Sequence, residues 1–240
     1  MIGTVLAFIA SLLLHGLLAL RDAPPPPGAE SDATGLLLAE RPVDMIQILL
    51  MPQGPVTLSL LAVLCLGLGY HGLRLWRGAG MGGPGLTLGL AAGALWPWLA
   101  DGRPLAAAAL ALVMMAGLVT AALAGLRQEG FRQEGRSRNS AALSFAAGWA
   151  TLAAMAMVAA LLKRDLGVPA LLAACVGLSL AALITVSVQL RLGRSISYSI
   201  AVIWGLIAIA AGAMLASVGL ATLAVLAIAV IAVALVQVST

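Results

Sequence analysis

Runs of about 20 apolar residues follow one another along this chain, each long enough to cross a hydrocarbon core of about 30 Å as a helix. Short polar or glycine- and proline-rich segments separate them. This pattern restricts the fold more than any motif does. A helix satisfies its own backbone hydrogen bonds in lipid, and the period-two alternation that a transmembrane barrel needs is missing from the sequence. The expected fold is all-α, a polytopic transmembrane helical bundle of about eight spans forming a single membrane domain over residues 1–240. Composition points the same way: 62% of residues are hydrophobic and 9% charged, against about 25% charged in an ordinary soluble domain.

The first apolar segment, residues 1–20, has no Lys or Arg ahead of it. It therefore lacks the basic n-region of a cleaved signal peptide and is read as a retained helix; cleavage would leave seven spans. His15 within it reads as a packing or interface histidine bonded to a backbone carbonyl. Residues 21–54 read as a Pro-rich, non-cytoplasmic loop in which Pro24 to Pro27 form a stiff polyproline segment that no helix can traverse. Its apolar stretch 43–51 is too short to span and either lies at the interface, folds back over the mouth of the bundle or is plain loop. Residues 55–126 hold the first-half helices and residues 139–238 the second half, with a basic cytoplasmic loop at 127–138 between them. Tyr70, His71, Arg74, Trp76 and Arg77 at the end of the second helix make an expected interface anchor. The last helix, almost entirely Ala, Val, Ile and Leu, reads as a lipid-facing closing element.

Orientation follows from the basic residues. Loops after the second, fourth and sixth helices hold Arg74, Arg77, Arg127, Arg132, Arg136, Arg138, Arg191 and Arg194. The opposite loops hold Arg21, Arg41, Arg103, Lys163 and Arg164, diluted by acids. The bias places both termini in the cytoplasm. The net charge of +4 is spread in ones and twos, which reports topology in a lipid bilayer and gives no nucleic-acid surface.

Charge placement also limits the chemistry. All 13 Lys and Arg and all 9 Asp and Glu fall in loops or at helix ends on this reading, leaving His15 as the one titratable acid or base within a span. Ion-coupled transporters and pumps place such groups near the midplane. No catalytic residues are assigned, because general acid–base work needs titratable groups positioned together. No metal site is assigned either: Cys65 and Cys175 lie in apolar runs without CxxC spacing and read as inert thiols. Asp101 with Arg103 reads as an ion pair at a turn. Gly78, Gly80, Gly82 and Gly83 follow no strand and precede no Lys-Ser/Thr pair, so phosphate cradling is unsupported.

Small residues and aromatics remain. Gly85, Gly89 and Gly93, four apart, make a smooth groove on one helix face, and Gly148 and Gly205 adjoin two tryptophans. Of the five tryptophans, Trp96, Trp98, Trp149 and Trp204 lie on three different helices. Trp98 and Tyr198, near span ends, fit a membrane-surface belt. Trp149 and Trp204 lie deeper, where an indole N–H needs a partner, which favours helix packing or a ligand-lined pocket over lipid. Thr151 and Ser197 offer polar contacts beside them.

Three segments carry a family resemblance: Leu95-Trp96-Pro97-Trp98-Leu99-Ala100-Asp101-Gly102, then Phe145-Ala146-Ala147-Gly148-Trp149-Ala150-Thr151-Leu152-Ala153, then Tyr198-Ser199-Ile200-Ala201-Val202-Ile203-Trp204-Gly205-Leu206-Ile207. In order and spacing, across roughly residues 50–215, they resemble the tryptophan-rich sensory protein family (TspO/MBR, translocator protein-like), in its longer, divergent microbial branch. Where that family carries Trp-x-Pro-Pro, this chain has Met51-Pro52-Gln53-Gly54-Pro55. The resemblance implies a non-enzymatic protein of the bacterial inner membrane that binds a planar hydrophobic ligand, a tetrapyrrole such as a porphyrin or a sterol-like molecule, between helices. Trp96, Trp149, Thr151, Tyr198 and Trp204 are the ligand-binding candidates; Gly85, Gly89, Gly93, Gly148 and Gly205 are the helix-packing candidates. Two other readings stay open: an accessory subunit of a respiratory or photosynthetic complex, or a homodimer, docking through small-residue faces; and a transporter of an uncharged substrate.

Overall fold

The computed structural model describes residues 1–21, 45–50, 54–78, 82–100, 102–129, 137–193, 196–214 and 217–239. Among them the chain is helical without strands: α1 (Ile2–Arg21), α2 (Met45–Leu50), α3 (Pro55–Trp76), α4 (Pro84–Leu99), α5 (Pro104–Glu129), α6 (Ser137–Asp165), α7 (Ala170–Leu192), α8 (Ser197–Ala213) and α9 (Val218–Ser239). The Pro-rich stretch 22–44, most of the basic loop (130–136), Asp101 and Gly80 lie outside the described residues.

Local chemistry accounts for the helix starts. Pro55 and Pro84 occupy the first turns of α3 and α4, each after an extended glycine, Gly54 and Gly83. Proline suits that position because its missing N–H would have had no intrahelical acceptor. Five helices are long and apolar enough to cross a membrane, over Pro55–Trp76, Pro104–Gly125, Ala141–Asp165, Ala170–Leu192 and Val218–Gln237. This is compatible with an integral membrane protein. Ile2–Leu18 and Ser197–Ala213 are apolar but shorter. Helix α4 has 16 residues with Pro97 inside, about 24 Å at 1.5 Å per residue.

Helix α6 is the axis of the bundle. It packs against α5, α8, α7, α3 and the short α2, and every residue from Leu143 to Met157 is buried. A helix apolar on all sides belongs in the interior. Its alanines, among them Ala146, Ala147, Ala150, Ala153 and Ala154, are at most 1% exposed and let five neighbours approach closely. Helix α1 lays Val5, Phe8 and Leu12 into the bundle, the i, i+3, i+7 face of a helix. Helix α2 folds back on α6 and α8, burying Met45, Leu49 and Leu50. In the expected anchor at the end of α3, Tyr70, Trp76 and Arg77 are exposed, whereas His71 is buried. Cys65 and Cys175 are free thiols on α3 and α7.

Candidate functional site

The five ligand-binding candidates lie on the three elements α4, α6 and α8. Trp96, Trp149, Thr151 and Tyr198 are buried, and Trp204 is half-buried. Trp149 meets Phe8 of α1 edge to face, with ring centroids 6.2 Å apart and planes at 79°. That geometry aligns the positive edge of one ring with the negative face of the other and contributes about 0.5–1.5 kcal/mol beyond the buried area. Phe8 also reaches α4, where a Cβ on Gly93 would strike its ring and approach the Met114 sulfur to 2.8 Å. One phenylalanine therefore fills the space between α4, α5 and α6. Trp96 lies one turn beyond Gly93, on the same side of α4.

Thr151 and Tyr198 meet directly, hydroxyl to hydroxyl, at 2.7 Å. The Thr151 hydroxyl donates to the Ala147 carbonyl at 2.9 Å, so it receives the Tyr198 proton. Thr185 of α7, which donates to the Ala181 carbonyl at 2.6 Å, lies close to the Tyr198 hydroxyl, so α6, α7 and α8 meet at this hydroxyl cluster in the apolar interior. Nearby, Ser199 donates to the Gln189 side-chain oxygen at 2.7 Å, and the Gln189 amide donates to the Gly193 carbonyl at 2.9 Å. That chain closes the α7–α8 turn. Trp204 stands apart from Trp149, paired edge to face with Phe145 at 6.2 Å and 89°.

Three polar atoms are left over in this interior. The indole N–H groups of Trp96 and Trp149 and the hydroxyl of Ser144 are buried without a hydrogen-bond partner among the described residues. An unsatisfied buried donor costs about 1–3 kcal/mol. By contrast, the half-exposed Trp98 donates its indole N–H to Ser11 at 2.8 Å, Ser11 passes its own proton to the Ala94 carbonyl at 2.6 Å, and His15 packs edge-on against the Trp98 ring. Pro97 thus stands between an exposed tryptophan with a partner and a buried one without a partner among the described residues.

The packing glycines lie within the chain's own seams. A Cβ at Gly89 would come 3.2 Å from the Gly117 Cα, and one at Gly85 would come 3.3 Å from the Thr120 hydroxyl. Gly148 lies under the Tyr198 carbonyl and beside Ala201, and Gly205 lies against the Leu152 side chain. The groove is thus filled at Gly89 by α5 and at Gly93 by Phe8 and Met114, whereas Gly85 meets Thr120 of α5 and also borders an open space. Phe8 and Gly117 went unnoticed at the sequence level. The Val5, Phe8, Leu12 spacing could have flagged the first; an alanine-rich background hides the second.

Two open spaces lie at the ends of the α4–α5 pair. A cavity of about 240 Å³ sits where the start of α4 meets the end of α5, and one of about 320 Å³ sits at the opposite end of that pair, near Ala100 and Pro104. Neither is lined by the five ligand-binding candidates. Among the described residues, no group of three or more His, Cys, Asp or Glu is placed to hold a metal. Comparison with family models, with curated proteins and with solved structures finds no match for this chain.

Proposed function

We propose that this chain is a non-enzymatic protein of a bacterial inner membrane, spanning it eight times with both termini cytoplasmic. Its role is to bind a planar hydrophobic ligand, tetrapyrrole or sterol-like, among α1, α4, α6 and α8, as its resemblance to the tryptophan-rich sensory family implies. The observation that carries this reading is the pair of fully buried indole donors, Trp96 and Trp149, with no acceptor among the described residues. A ligand that displaced Phe8 from between these helices would stack on indole faces and supply the acceptor that the described residues do not. The Thr151–Tyr198 hydroxyl pair is a second polar anchor beside it.

Titration of the purified protein with protoporphyrin is expected to quench tryptophan fluorescence saturably. Trp149→Phe, which keeps a flat ring and loses the N–H, is expected to bind about tenfold more weakly, the value of one hydrogen bond to a charged or strongly polar acceptor. Absence of saturable quenching by micromolar protoporphyrin would sink the proposal.

A further inference from the structure

Helix α1 lies at the edge of the bundle. It packs on α3 and α4 and touches α2, while Leu6, Leu13 and Leu17 on its outer side are exposed. Its inner face is seated in glycine notches. Val5 lies over Gly72 of α3, where an added Cβ would come 3.2 Å from it, and Phe8 lies over Gly93 of α4, where an added Cβ would strike the ring. Beyond Gly93 the Phe8 ring meets Trp149 of α6. A side chain from a peripheral helix thus ends, fully buried, in the middle of the tryptophan core.

Phe8 is an incomplete partner there. Its ring gives Trp149 an aromatic contact but no oxygen or nitrogen, and the Trp149 indole N–H stays buried without an acceptor among the described residues. Buried donors are normally paired. One helical turn further on, α1 is fastened by polar contacts instead: Trp98 donates to Ser11, Ser11 donates to the Ala94 carbonyl, and His15 packs edge-on against the Trp98 ring. Trp98 is 46% exposed, so water can take over these bonds when the helix moves. A planar polycyclic ligand is far wider than a phenyl ring. Rotating Phe8 aside would not admit it, because the ring is held between Gly93 and Trp149; the helix that carries Phe8 has to leave its notches.

We propose that α1 is a displaceable arm whose Phe8 ring fills the tryptophan site while no ligand is bound, so that ligand and Phe8 compete for Trp149. This regulation rests on the ligand reading above. The apparent affinity is then the intrinsic one scaled by the fraction of molecules in which the arm is lifted. A reversible lock tests it. A Cβ on Gly72 would stand 3.7 Å from the Val5 Cβ, within the range of about 3.5–4.5 Å that a disulfide spans. Val5→Cys/Gly72→Cys is combined with Cys65→Ala and Cys175→Ala, which removes both native thiols, and protoporphyrin quenching is measured in nanodiscs before and after reduction. The oxidised form is expected to bind about tenfold more weakly than the same protein reduced. Phe8→Ala, which removes the competing ring, is expected to bind about tenfold more tightly than wild type, and Ser11→Ala more tightly by a smaller factor. Oxidised and reduced forms are one polypeptide, so misfolding cannot imitate their difference. Saturable quenching of equal affinity in the two redox forms overturns the arm and leaves the ligand reading standing. No saturable quenching in wild type, in the reduced pair or in Phe8→Ala overturns both.

Discussion

Helices α6 and α9 are both built mainly from apolar residues, yet they occupy opposite places in the bundle. In the membrane-length window of α6, 72% of residues are buried within the protein; in that of α9, 22% are. Hydropathy does not bring a helix inside, since the outer α9 is the more hydrophobic of the two; lipid tails are as apolar as a protein interior and exert no hydrophobic sorting between helices. Residue size contributes. Helix α6 carries alanine around much of its circumference, interrupted by Leu143, Phe145, Trp149, Leu152, Met155 and Met157, all of them buried. Helix α9 turns Ala221, Ala224 and Ala227 toward α7 and α8 and leaves Val225, Leu226, Val230 and Val233 outside. The exposed face of α9 carries bulk, its buried face is mostly alanine with Leu220 and Ile231 among it, and close backbone approach at small residues adds to the cohesion of the bundle.

The strongest way to break this contrast is to add one methyl group where backbones touch. Glycine to alanine within a helix normally stabilises by about 1 kcal/mol through propensity. At Gly148 a Cβ would meet the Tyr198 carbonyl and lie 3.0 Å from the Ala201 Cβ. The carbonyl belongs to backbone and cannot move aside, so overpacking of about 1–3 kcal/mol outweighs the propensity gain. At Gly69 of α3 a Cβ would meet nothing within 4 Å. Gly148→Ala is therefore expected to lower the thermal midpoint in mild detergent while Gly69→Ala holds or raises it. Equal midpoints for the two variants would mean that the α6–α8 seam is not held by close approach.

This dependence on size explains which features were legible in the sequence. Run length and punctuation showed the helical segments, because crossing a bilayer sets a length and prolines such as Pro55, Pro84 and Pro104 mark starts. The stretch around Met45–Leu50 was legible as too short to cross, and its docking on α6 and α8 was one of the alternatives left open. Facing was not legible, because an apolar residue is acceptable on either side of a membrane helix and no period marks the core. Trp149 stood out as a large residue among alanines; its neighbour Phe8, some 140 positions earlier in the chain, had no local signal linking the two. The short, proline-interrupted α4 shows a further limit: Trp96 and Trp98 sit two residues apart, and only the helix turn puts one inside and the other at the rim.

A smaller effect is expected where the seam is polar. Tyr198→Phe removes the proton that Thr151 accepts, while Thr151 keeps its bond to the Ala147 carbonyl. No donor is stranded, so the cost should match an ordinary interhelical hydrogen bond in a membrane, about 0.6 kcal/mol and at most about 1.7. A double-mutant cycle with Thr151→Val isolates that coupling. A coupling of several kcal/mol would show that hydrogen bonding, rather than small-residue packing, dominates the interior and would overturn the contrast with α9.

The smallest effect belongs to the outer face of α9. Val230 is 56% exposed, and shortening it to alanine trades contact with lipid for a slightly higher helix propensity. Val230→Ala is therefore expected to leave the unfolding midpoint unchanged within about 0.5 kcal/mol, the usual range for a surface substitution. The inward-facing counterpart supplies the sign. Ala224 is fully buried, and Ala224→Val asks α9 to move away from the helices it packs on, at about 1–3 kcal/mol. The two substitutions exchange the same pair of residues on one helix, six positions apart, so composition and hydropathy are nearly conserved between them. If Val230→Ala proved as costly as Ala224→Val, the outer face of α9 would be covered by protein in the native assembly and α9 would be a buried helix like α6.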